Sequence, residues 1–90
     1  KKYQQETLFV VTNKAKEVYE AIARTTNHGA TIIEGEGSYE KRERKIVYSV
    51  VSSAESKRVL KAINEADPEA FVNLMKTEQI AGKFYQKPTE

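Results

Sequence analysis

Apolar residues along this chain fall into short β-branched runs separated by stripes at helical spacing. Thr7-Leu8-Phe9-Val10-Val11-Thr12 is β-branched and aromatic and predicts a first strand. Thr12-Asn13 then supplies N-cap chemistry. Ala15, Val18, Tyr19, Ile22 and Ala23 recur at three- and four-residue spacing, which predicts a helix from about Lys14 to Asn27. Gly29 is expected to end it as a left-handed C-terminal residue. Thr31-Ile32-Ile33 predicts a short second strand, Gly35 to Arg42 a turn or hairpin loop, and Arg44 to Val51 a third strand. Ser52-Ser53-Ala54-Glu55 has the spacing of a capping box. Behind it Val59, Leu60, Ile63 and Ala66 form a second amphipathic stripe, closed by Asp67-Pro68 because a residue before proline disfavours helical geometry. Ala70 to Met75 predicts a fourth strand, and Lys83 to Glu90, with Pro88, reads as a tail.

The order is β-α-β-β-α-β, the ferredoxin-like split arrangement, an α+β sandwich expected to occupy residues 1–90 as a single domain. Right-handed crossovers place both helices on one face of a four-stranded antiparallel sheet. In such a sheet the other face should be polar. Here Ile46, Tyr48 and Val50 share one face while Val47, Ser49 and Val51 share the other, and Leu8 and Val10 oppose Phe9 and Val11. Apolar residues on both faces predict a homo-oligomer that associates through the open sheet face.

Composition narrows the partners. With 39% apolar and 31% charged residues this is a globular composition, and a net charge of +2 implies no nucleic acid. With no cysteine there is no disulfide or thiolate scaffold. No apolar run is long enough to span a bilayer. A single histidine, His28, without cysteine cannot build a zinc site, and Glu34, Glu36, Glu40 and Glu43 lack the spacing of a calcium loop, so neither a metal nor a cofactor is expected. His28 could sense protonation or simply complement a helix C-terminus.

Three of the four glycines fall between His28 and Tyr39, just ahead of the basic cluster Lys41-Arg42-Glu43-Arg44-Lys45. In the functional reading Gly35 and Gly37 offer backbone N–H groups while Tyr39, Arg42 and Arg44 close on a small anionic ligand, with Thr31 and His28 further out. In the plainer reading Gly-Glu-Gly is turn chemistry and the basic residues protect a strand edge. The segment is neither a Walker loop nor a dinucleotide fingerprint. Leu8 to Asn13 has the look of the first motif of an RNA-recognition domain, but Arg44 to Val51 carries one aromatic and no glycine.

Gly29-Ala30-Thr31, Glu34-Gly35-Glu36-Gly37-Ser38-Tyr39, the basic third strand, Asp67-Pro68-Glu69-Ala70-Phe71-Val72 and Gly82-Lys83-Phe84 together resemble the YitT-type C-terminal domain, a domain of unknown function at the end of bacterial multi-pass membrane proteins. The final motif is imperfect, since Phe84 follows Lys83 directly. The resemblance implies a domain on the cytoplasmic face of the cell membrane, itself soluble and joined to the membrane only through a preceding part of its parent. It also implies a fold of the kind seen in PII-type signalling proteins, which assemble through sheet surfaces and bind nucleotides or small anions between subunits. Those proteins carry a long loop between the second and third strands. The corresponding loop here spans only about Gly35 to Glu43.

The expected function is therefore a non-enzymatic regulatory domain of a membrane protein, self-associating and sensing a small anion or nucleotide. A structural oligomerisation module that binds nothing is the first alternative. An enzyme acting through Glu34 or Glu36 with Tyr39 is the second, and it needs a cleft holding a carboxylate away from the basic side chains.

Overall fold

The computed structural model describes residues 4–36, 43–78 and 81. Six elements follow in the order β1 (Gln5–Thr12), α1 (Ala15–Thr25), β2 (Ala30–Glu36), β3 (Glu43–Ser52), α2 (Ser56–Ala66) and β4 (Phe71–Thr77). The four strands form one antiparallel sheet in the order β2-β3-β1-β4, so the fold is the βαββαβ sandwich expected from the pattern.

The register separates the two sheet faces. Leu8 lies opposite Ser49 and Leu74, and Val10 opposite Val47 and Val72. These residues point toward the helices. Leu8, Val10, Val47 and Val51 are fully buried against Ala15, Val18 and Ile22 of α1 and Val59 and Ile63 of α2. The same three- and four-residue spacing that predicted the helices thus supplies the inner half of the core.

The helix ends depart from expectation. α1 stops at Thr25, and Thr26 takes an extended conformation (φ −131°, ψ 171°) three residues before Gly29. The Thr26 hydroxyl and backbone N–H both donate to the Ile22 carbonyl, each at 3.0 Å. Adjacent β-branched threonines, whose hydroxyls bond back to the preceding turn, close the helix without a left-handed glycine. At its start the N-cap is Lys14, with no side-chain cap bond. Thr12 acts one step further out, its hydroxyl accepting the Lys14 N–H at 2.8 Å.

The capping box ahead of α2 is half made. Glu55 is itself the N-cap, and its Oε1 accepts the Ser52 N–H at 3.1 Å, but Ser52 remains in β3. Asp67 ends α2 in extended geometry before Pro68, as expected. α2 carries no acidic residue in its first turn and no basic residue in its last. Lys57 and Arg58 instead occupy the first turn, an arrangement that opposes the helix dipole at about 0.3–1 kcal/mol for each charge.

Truncation of a fully buried central-strand residue tests this core. Leu8→Ala should lower unfolding free energy by about 2–5 kcal/mol in urea denaturation, with the slope of the transition unchanged.

Candidate functional site

Among the described residues no element covers the second sheet face. Ile33 lies opposite Ile46, Ile46 opposite Val11, and Val11 opposite Phe71, so one apolar row crosses all four strands. Beside it run Thr31, Tyr48, Phe9 and Asn73, and then Val50, Thr7 and Met75. Phe9 and Tyr48 pack with ring centroids 5.2 Å apart at 50°, within the tilted geometry that aromatic pairs prefer. Phe71 is 65% exposed, Ile33 42% and Met75 40%. The two edge strands therefore leave large apolar side chains in water, while the central pair is half-buried by its own neighbours.

Thr31, Gly35 and Arg44 all lie on this open face, but they do not converge on one point. Gly35 and Arg44 are direct cross-strand partners. Thr31 sits four residues back along β2, about 13 Å away at the usual strand rise. Gly37, Tyr39 and Arg42 lie outside the described residues. Gly35 is inside a strand and not in the turn expected from the sequence, and its backbone is not in the left-handed region. The hairpin loop is correspondingly shorter, because β2 runs on to Glu36 and β3 begins at Glu43. Arg44 Nε is buried beside Gly35 and, among the described residues, has no hydrogen-bond partner.

On the helix side of the same hairpin, Lys45 Nζ approaches Glu34 Oε2 at 3.5 Å, with both side chains largely exposed. An open depression next to it is lined by Thr12, Asn13, Ala15, Lys16, Glu17 and Lys45. Glu34 is thus paired with a lysine and not held apart from basic groups, as the enzymatic alternative requires. Among the described residues no three His, Asp or Glu side chains gather where they could hold a metal ion.

His28 belongs to a different part of the molecule. It is buried, with Nε2 3.5 Å from Glu55 Oε1. Glu55 Oε2 accepts the Asn27 N–H at 3.2 Å, and Thr26 and His28 close a local turn through the Thr26 hydroxyl. One carboxylate therefore joins the segment after α1 to the start of α2. His28 is engaged there and does not serve the outer rim of a hairpin site. At the opposite end of the helix layer the buried Asp67 accepts the Thr12 hydroxyl at 2.5 Å through Oδ2 and the Glu69 N–H at 3.0 Å through Oδ1. Two motif positions singled out for their chemistry are in this way structural joints. The sequence signal for Glu55 was its capping-box spacing, which shows the local bond but not the histidine across the layer.

Residues 28–82 match the family described as an uncharacterized protein conserved in bacteria (DUF2179). The chain is 32% identical over 78 residues to the UPF0750 membrane protein YitT of Bacillus subtilis (strain 168), an alignment covering 87% of this chain and 28% of that protein. It thus spans little more than a quarter of the relative's length. A DUF2179 protein structure from Eubacterium ventriosum is 25% identical with a TM-score of 0.64, covering 79% of this chain and 97% of that one. A functionally unknown protein from Pediococcus pentosaceus ATCC 25745 shares the fold, with a TM-score of 0.78 at 13% identity over 91% of this chain and all of that one. The motif resemblance to the YitT-type C-terminal domain is borne out. No helix among the described residues is long and apolar enough to cross a membrane.

A Cβ added at Gly35 would meet the Arg44 carbonyl oxygen at 3.6 Å and Ile46 Cδ1 at 3.8 Å, which are ordinary contacts. Gly35→Ala should therefore raise stability by about 0.4–1 kcal/mol in thermal or urea unfolding. A loss of stability would show that the glycine is needed for its backbone.

Proposed function

Because the chain belongs to the bacterial DUF2179 family and is related to a membrane protein, we propose that it is a non-enzymatic regulatory domain of a larger membrane protein, held on the cytoplasmic face and self-associating through its open sheet face. The observation that carries this reading is the apolar row Ile33–Ile46–Val11–Phe71, exposed at both ends and covered by neither helix. Leaving such a row in water forgoes about 25 cal/mol for every Å² that a partner would bury. A second copy offers the same row, and an isologous contact brings apolar residues against apolar residues. Four strands spaced about 4.8 Å apart give a face only about 20 Å wide, near the small end of specific interfaces. Attachment to a membrane raises the effective concentration of such a domain and lets a weak contact suffice.

The ligand in this reading is a small anion at the hairpin end of the same face. Its support is the buried Arg44 Nε, which has no partner among the described residues, beside the side-chain-free Gly35. A guanidinium can take phosphate or carboxylate in a bidentate fork, whereas an unpaired buried donor is unfavourable.

In sedimentation equilibrium the chain should show a mass that rises with protein concentration, and Ile33→Lys/Phe71→Lys should remain monomeric with nearly unchanged unfolding. A concentration-independent monomer for the unaltered chain would exclude self-association through this face. In a thermal-shift panel of nucleotides and phosphate-bearing metabolites, one compound should raise the melting temperature and lose that effect in Arg44→Ala. A flat panel beside concentration-dependent mass would leave the purely structural assembly module.

A further inference from the structure

We infer that the end of the helix layer bearing Arg24, Lys57, Arg58 and Lys61 docks on an anionic lipid surface. α1 ends where α2 begins, since Asn27 and His28 both reach Glu55 and Arg58 Nε donates to the Thr25 carbonyl at 3.0 Å. The last turn of α1 and the first turns of α2 therefore lie side by side. All four cationic side chains there are exposed. The acids nearby cancel them only in part. Glu55 is buried and engaged by Ser52, Asn27 and His28, while Glu65, one turn beyond Lys61 on α2, offsets one of the four charges. Glu20 offsets one charge from the preceding turn of α1. At the other end of the layer the signs are mixed, with Lys14, Lys16 and Lys45 among Glu17, Glu34 and Glu69.

Folding does not favour this arrangement. Lys57 and Arg58 stand at the positive end of the α2 dipole, and Lys57 and Lys61 are like charges one turn apart on one face. Among the described residues neither Lys57 nor Lys61 has an ion-pair partner. The counter-charge that makes sense of them comes from outside. Cations spread over two adjacent helices, about 8–10 Å apart, suit a diffuse planar charge and not a single bound ion. The inference rests on the membrane-attached reading but not on the sheet face, which lies on the opposite side of the sheet.

The test is cosedimentation of the purified chain with vesicles of phosphatidylglycerol and phosphatidylcholine, and with phosphatidylcholine alone. Binding should occur only to the anionic vesicles and weaken with salt. Lys57→Gln/Lys61→Gln should bind about tenfold more weakly or worse, and Lys14→Gln/Lys16→Gln should stay within about twofold of the unaltered chain. No binding to anionic vesicles, equal loss in both variants, or release by inorganic phosphate at constant ionic strength would overturn the inference. Assembly is read on the same preparations without vesicles. A chain that assembles but ignores vesicles overturns docking alone, and one that binds them as a strict monomer overturns assembly alone.

Discussion

Two helices can seal only one face of a four-stranded sheet, and the rest of this structure follows from that constraint. Each helix has eleven residues, about 16 Å of rod, and a packed pair spans about the width of the sheet beneath it. The inner face is accordingly dry, built from Leu8, Val10, Val47 and Val51 beneath Val18, Ile22, Val59 and Ile63. The outer face receives a comparable share of apolar residues from the same four strands and no cover from this layer. A sheet designed to meet water would place threonine, lysine or glutamate where Val11, Ile46 and Phe71 stand.

The sandwich is pinned at both ends by buried polar joints. Glu55 gathers Ser52, Asn27 and His28 at one end, and Asp67 gathers Thr12 and Glu69 at the other. Buried carboxylates are tolerable only when their lone pairs are filled, and here each receives two or more donors. Asp67-Pro68 belongs to the motif that marked the family, and its aspartate owes its place to this joint. Such positions keep the helices seated over the inner face.

Much of this was legible in the sequence because strand and helix rhythms differ and each element followed its own. The element order, the helix stripes and the division of β1 and β3 into two apolar faces were all readable from Leu8 to Val11 and from Ile46 to Val51. The ends were harder, since they depend on side chains bonding to backbone. Thr26 closes α1 where Gly29 was expected to, and Glu55 serves as the cap where Ser52 was expected to. The candidate ligand residues were gathered by their nearness in sequence. In an extended strand that nearness separates them, so Thr31 shares a face with Gly35 but not a pocket. In β4 the run Ala70 to Met75 is apolar on both sides, and only pairing with β1 shows that Phe71 and Met75 face outward.

The strand order has a consequence for how the chain reaches this state. β1 lies between β3 and β4, so the first strand made must wait for both of its neighbours, and Gln5 finally pairs with Thr77. Only the β2–β3 hairpin closes over a short stretch of chain. Loop closure for the remaining ladders precedes any gain from them, which places this domain among the slower two-state folders for its size. Neither half of the sequence contains a complete core. The chain should fold and unfold as one cooperative unit, with little order in any fragment that lacks β1 or β4.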